Sequence, residues 1–320
     1  MNMSVNHSIS LRLEKIVRLK LSMVTVTGLL ISAGRILGRI GGADVESMSM
    51  ERIYQCNQVE IHVRVPYIPG SSLKGRIRSL LEVALGLPLY SSDGKIWSHT
   101  LSRDVRVSLS RDDKLSVTDF VKTLINTDLD RMFGYGAFPL NEVYKQMSEK
   151  ESVSLMNSLL SVLSPTSLLV EDMFPDREQI CQIYNENELV TFEDFMEDKN
   201  ENRIDRVTSA ADPRSVTRVK PGVKFTGTLS LLVYDKNLPK VKDYLDLLVK
   251  GMILLEKTYL GASGSRGYGR VKFTNVAVSI YDPVTMAEIT FKEYDSVENL
   301  SKDIGDLVKA IASQQTGVKT

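Results

Sequence analysis

The sequence predicts an α+β fold: a split βαβ core of the ferredoxin-like or RNA-recognition type, with an antiparallel sheet carrying helices on one face. Three observations carry this. Residues 11–30 alternate apolar with polar positions through Ile16, Arg18, Lys20, Ser22, Val24 and Val26, the period of a half-buried strand. A helix start at Ser71 or Ser72 leads into an apolar-periodic run over 79–85. Far downstream, a strand pattern at 225–234, an amphipathic helix pattern at 239–256 and a strand pattern at 269–280 follow one another. The resulting order is β, helix, insertion, β, helix, β.

After the first strand, residues 34–43 place Arg35 and Arg39 among four glycines, and this basic, flexible segment ends at Gly42-Ala43-Asp44. His62 then lies in a strand-like run beside Val63. The helix opens on Ile68-Pro69-Gly70-Ser71-Ser72-Leu73-Lys74-Gly75-Arg76-Ile77-Arg78. A serine cap there would leave free amides and the positive dipole end outward, beside Lys74, Arg76 and Arg78, which makes an anion site. Its glycine spacing is not that of a nucleoside triphosphate loop. Residues 86–190 read as an insertion with helical patterning at 117–130 and 144–163, and the chain turns acidic over 193–201. The second anion-seeking element is Gly261-Ala262-Ser263-Gly264-Ser265-Arg266-Gly267-Tyr268-Gly269-Arg270. Its glycines allow positive φ and close approach of amides to phosphate, and its arginines add charge. The tail from 283 to 320 carries a helix pattern at 297–312 and a polar end expected to fray.

The 320 residues divide into 40 basic and 40 acidic side chains, which argues against indiscriminate coating of nucleic acid. Local charge is another matter, because residues 64–78 and 258–275 contain no acid at all. Two cysteines, Cys56 and Cys181, are too few for a disulfide framework, and with no leader or membrane-length apolar run in view the expected location is cytoplasmic, without membrane attachment. His7, His62 and His99 adjoin neither basic element, so histidine-driven catalysis has no base in place, and Cys56 with His62 is too small a set for zinc. No cluster of acids and bases suggests an enzyme acting on a small phosphorylated molecule.

Pro69-Gly70-Ser71-Ser72-Leu73-Lys74-Gly75 with Arg78, and Gly264-Ser265-Arg266-Gly267-Tyr268-Gly269, closely resemble signature motifs of the RAMP backbone subunits of type III CRISPR effector complexes. A third segment, residues 201–214 with Arg206 and Pro213-Arg214, is similar to the protruding thumb hairpin of the Csm-type subunit. Weaker likeness lies in Asp130-Arg131-Met132-Phe133-Gly134 and residues 168–174, so the resemblance spans roughly 11–280. It implies one domain with a core over about 11–85 and 221–282, an insertion over 86–190, a thumb over 191–220 and the tail.

The resemblance also implies a function. Such a subunit stacks with copies of itself in a helical filament along CRISPR RNA, beside other type III subunits, and its thumb flips nucleotides out of the guide–target duplex. Arg35, Arg39, Ser71, Ser72, Lys74, Arg78 and Gly264, Ser265, Arg266, Gly267, Tyr268 and Gly269 would track RNA phosphates. Ala211 and Pro213 would wedge against a base, with Arg206 and Arg214 on the strand backbone. The polar composition of 201–214 leads one to expect order there only once RNA is bound. Asp44 falls where the family has its catalytic, metal-binding aspartate, which implies cleavage of complementary target RNA with Mg²⁺ or Mn²⁺ and the target's own 2′-hydroxyl as nucleophile. The family usually continues from that aspartate through a short proline-bearing segment, whereas this chain runs a longer connection to Pro69. A binding-only scaffold without nuclease activity and a nuclease processing precursor CRISPR RNA are the alternatives.

Overall fold

The computed structural model describes residues 10–32, 47–89, 91, 94–99, 127–134, 157–161 and 163–313. Arg35, Arg39 and Asp44 lie outside the described residues, as do His7, most of the helical patterning expected at 117–130 and 144–163, and the polar end from 314.

Strand β1 (Leu13–Thr25) is the spine, and its alternation buries Val17, Leu19, Leu21 and Met23 on one face. A hairpin, β2 (Ser49–Cys56) with β3 (Val59–Pro66), forms a small sheet of its own before α1 (Gly70–Ala84). After the short α2 (Asp128–Phe133) come β4 (Leu168–Val170), β5 (Phe174–Pro175) and α3 (Arg177–Asn187). A second hairpin, β6 (Met196–Ile204) with β7 (Ala211–Val219), precedes β8 (Lys224–Tyr234), α4 (Val241–Lys257) and β9 (Val271–Asp282). The chain closes on β10 (Ala287–Tyr294), α5 (Val297–Lys302) and α6 (Ile304–Ser313).

The central sheet runs β10-β9-β1-β8-β4 with antiparallel pairing throughout, and β5 adds a further pairing to β8. Taking β1, β4, β8 and β9 as the core strands, their spatial order is fourth, first, third, second, with α1 and α4 as the crossovers. This is the expected split βαβ arrangement. Helix α4 turns Tyr244, Leu245, Leu248, Met252 and Leu255 inward, and α1 turns Leu73, Ile77 and Leu81 toward the same core. The two helices approach at Gly251, where a Cβ would stand 2.5 Å from Ile77 Cγ2. A mid-helix glycine costs about 1 kcal/mol relative to alanine, and the close packing of the two apolar faces offsets it.

Four expectations need correction. Residues 168–187 are not part of an insertion, since β4 supplies the fourth core strand and α3 buries Ile180 against the core. Three residues of strand are too few to show alternation. In the tail the helix expected at 297–312 is present as α5 and α6, which bury Val297, Leu300, Ile304, Leu307 and Ile311, but the strand β10 that extends the sheet was not foreseen. Residues 196–219 form a regular ladder without RNA, because a tight turn and side chains at its foot order a segment with little apolar surface of its own. Finally, Cys56 and Cys181 are joined as a disulfide, which a count of two cysteines separated by 125 residues does not announce. Among the described residues no helix is long and apolar enough to cross a membrane.

Candidate nucleic-acid interface

Residues 27–32 form a seam that joins the glycine loop to the β6–β7 hairpin. Leu29 exchanges backbone hydrogen bonds with Val219 at the foot of β7, both at 2.9 Å. Leu30 accepts from the amide of Ala262 at 2.8 Å, Gly28 from that of Gly269 at 2.9 Å, and the Thr27 hydroxyl from that of Arg270 at 3.0 Å. Ser32 then pairs with Ser47, and the Met48 amide donates to Ile31 at 2.8 Å. The chain therefore departs toward Arg35, Arg39 and Asp44, and returns, at a base wedged between the glycine loop and the β6–β7 hairpin.

The glycine loop is a pedestal more than an open cradle. The amides of Ala262, Arg266, Gly267, Gly269 and Arg270 already donate within the protein, so the expected ring of free amides is largely spent. Gly264 is half-buried, and what the loop presents to solvent is Gly261, Ala262, Ser265, Arg266, Gly267 and Arg270. Gly269 holds φ at 73°, and a Cβ there would stand 1.9 Å from Leu260 O. Gly269→Ala should therefore cost about 3 kcal/mol, from left-handed strain plus a backbone collision. Denaturant unfolding checks this; a change below about 0.5 kcal/mol would show that the loop relaxes freely.

Tyr268 was expected on RNA but is buried, because its ring is the foot of the thumb. It packs with Leu30 and Val216, with the Arg218 guanidinium 4.2 Å and the Lys199 ammonium 4.4 Å from the ring centre. Its hydroxyl donates to Glu201 Oε1 at 2.7 Å, while Arg214 Nη2 reaches Glu201 Oε2 at 2.7 Å. The Tyr268 hydroxyl first, and Arg214 next, hold the Glu201 carboxyl down to about 2 from its ordinary 4.5. A depressed carboxylate contributes stability that is fully present above pH 4.5 and is lost as pH falls through the folded value near 2. Tyr268→Phe should thus be less stable than wild type at pH 6, with the gap narrowing between pH 4.5 and pH 2.5, in unfolding measured across that range. A gap independent of pH would show that the pair does not depend on ionised Glu201.

At the far end of the thumb, Asp205 Oδ1 accepts from the amides of Thr208 at 2.7 Å and Val207 at 2.9 Å and fixes the turn. Arg206, Ala211, Pro213 and Arg214 are exposed there, and Val207 stands 92% exposed at the tip.

Helix α1 departs most from expectation. Neither serine caps it: Pro69 is the cap residue, and the Gly70 amide donates to Asp172 Oδ1 at 2.7 Å. An internal carboxylate thus takes the first amide intended for phosphate. Ser71 remains exposed and Ser72 half-exposed in the first turn. Lys74 Nζ donates to Leu168 O at 2.8 Å, and burial, then the neighbouring Arg78 charge, lowers its pKa. Arg76 lies on the Tyr259 ring at 4.1 Å and donates to its carbonyl at 2.9 Å. Arg78 is committed inward, donating to Glu82 at 2.7 Å, Asp130 at 2.5 Å, Gly134 O at 2.5 Å and His99 O at 2.8 Å. With four partners and a side chain 17% exposed, it joins α1 to α2 and is no free phosphate ligand. The partners of Asp130, Asp172 and Glu201, which lie on segments the sequence reading had named, escaped it, since Arg78, the Gly70 amide and Tyr268 lie far along the chain.

A family model of the RAMP superfamily matches residues 22–272. The chain belongs to the RAMP superfamily. Among its relatives, the CRISPR system Cms endoribonuclease Csm3 of Methanothermobacter thermautotrophicus is 31% identical over 215 residues, covering 67% of this chain and 70% of the relative. The protein of that name from Methanocaldococcus jannaschii is 29% identical over 248 residues, covering 76% and 77%. The Csm3 crystal structure from Methanopyrus kandleri shares the fold, with a TM-score of 0.53 at 15% identity over 93% of this chain and 98% of that one. The RAMP match ends near the start of β9, so most of β9 and all of β10, α5 and α6 lie beyond it.

Proposed function

We propose that this RAMP chain is a cytoplasmic backbone subunit of a type III CRISPR RNA-guided complex that binds CRISPR RNA and cuts complementary target RNA at regular intervals. Its partners are CRISPR RNA, target RNA, copies of itself in a helical filament and other type III subunits. The observation that carries the reading is the seam at 27–32, which roots the glycine loop, the thumb and the segment bearing Asp44 on one short stretch of backbone.

On this reading Ser71, Ser72, Ser265, Arg266 and Arg270 hold phosphates, positioning the strand while base pairing reads its sequence. The exposed Val207 at the tip, with Ala211 and Pro213, wedges between bases so that a displaced nucleotide leaves its phosphate free for in-line attack by the adjacent 2′-hydroxyl. On the same reading Asp44 with RNA phosphates would hold the ion. A lone carboxylate suits Mg²⁺ or Mn²⁺, hard ions that keep their waters and take phosphate oxygens. When bound, the ion supplies charge neutralisation at the phosphate. Histidine-driven processing of precursor RNA lacks support: His99 is buried against Asp130 at 3.3 Å, and His62 pairs with Glu60 on the separate hairpin.

The test is to assemble the complex with a defined guide and follow end-labelled complementary RNA with added Mg²⁺. Evenly spaced fragments are expected. Tight binding without fragments would establish the scaffold reading instead.

A further inference from the structure

The connection from residue 47 to Pro69, longer than the short segment usual in the family, folds as hairpin β2–β3 and carries one of the chain's two cysteines. Cys56 ends β2 with 2% exposure, and Cys181 sits half-buried on α3 with its Cα 5.4 Å away. Noncovalent contacts dock the hairpin there independently of the bond. Tyr54 Oη donates to Pro175 O at 3.1 Å, Arg177 Nε donates to Gln55 O at 2.6 Å, and the Arg52 guanidinium lies 3.8 Å from the Phe174 ring centre. The folded chain itself therefore brings the two sulfurs together.

We propose that Cys56 and Cys181 form a reversible thiol–disulfide pair, closed by a low-molecular-weight disulfide such as oxidised glutathione, that locks hairpin β2–β3 onto α3. The Cys181 thiolate, on the accessible side, attacks the small disulfide, forms a mixed disulfide and releases one small thiol. The Cys56 thiolate then attacks the Cys181 sulfur and releases the second. Two electrons pass from the protein thiols to the small disulfide, and their two protons leave with the two small thiols. Reduction reverses both steps and leaves two small apolar side chains in contact, so the fold survives in either state. In a reducing compartment the pair rests open. The hairpin leads from Asp44 to the first turn of α1, so the lock bears on the cutting site; that consequence alone rests on the proposed function.

The isolated full-length subunit tests the bond without reference to cutting. After equilibration with oxidised or reduced glutathione, alkylation and peptide mapping should show a linked pair containing Cys56 and Cys181 only in the oxidised sample. Oxidation should raise Tm by about 5 to 10 °C, as closing a ring this large restricts the unfolded chain, and slow amide exchange over 49–66. Cys181→Ala, which removes a half-exposed sulfur and little packing, should melt as the reduced wild type and ignore glutathione. Two alkylated thiols after oxidation, glutathione adducts alone, or equal Tm and exchange in both states would each overturn the proposal.

Discussion

Asp44→Ala is expected to abolish target cutting in the assembled complex, lowering the rate by about 100-fold or more while leaving affinity for complementary RNA within about twofold. The asymmetry follows from what each step needs. Capture of RNA draws on many phosphate contacts and on base pairing, to which one carboxylate contributes nothing favourable. Cleavage needs the developing charge on one phosphate neutralised at the moment the 2′-hydroxyl attacks, and of the two carboxylates on the segment rooted beside the glycine loop and the thumb, Asp44 and Glu46, Asp44 is the one proposed to hold the ion. Asp44→Asn sharpens the measurement, because it preserves size and removes only the charge. Both variants, loaded with guide to the same extent as wild type, are compared on labelled target with Mg²⁺. Undiminished fragments from the alanine variant would remove Asp44 from the mechanism.

The sequence was most legible where periodicity runs long. Strands β1, β8 and β9 and helix α4 appear within a few residues of their predicted spans, because each presents an uninterrupted apolar face to one core. Strand β4, at three residues, left no periodic trace and was reached only through the family resemblance over 168–174, and the β2–β3 hairpin was read only as a strand-like run around His62. At the interface, glycine and charge located the right segments and misassigned several side chains. Composition shows that Arg78 and Tyr268 sit beside phosphate-seeking backbone, but not that Asp130 waits 52 residues away for one and Glu201 67 residues away for the other. Long-range pairing is the property that no local pattern encodes. The same limit hid the bond from the first amide of α1 to Asp172 and the pairing of Cys56 with Cys181.

Arg78→Ala should destabilise the fold by about 3 to 5 kcal/mol, because it strips the cation from two carboxylates that are almost fully buried. Asp130 is 1% exposed and Glu82 6%, so neither is hydrated when the guanidinium goes. Arg78→Lys should recover part of the loss, since an ammonium keeps the charge without the planar fork that reaches four partners. The effect also has a pH signature. His99 lies 3.3 Å from Asp130, whose hydrogen bond raises its pKa against the opposing effect of burial. A raised histidine contributes stability that is full below about pH 6.5 and fades as pH climbs through its folded value. Without Arg78, protonated His99 is the remaining cation facing Asp130, so the variant's deficit should be smaller at pH 6 than at pH 8. Denaturant unfolding at both values reads this directly, and RNA binding over a salt series reads the competing role. Wild-type stability in the alanine variant, together with a salt slope shallower by about one phosphate contact, would make Arg78 an RNA ligand and undo its assignment as the clasp between α1 and α2.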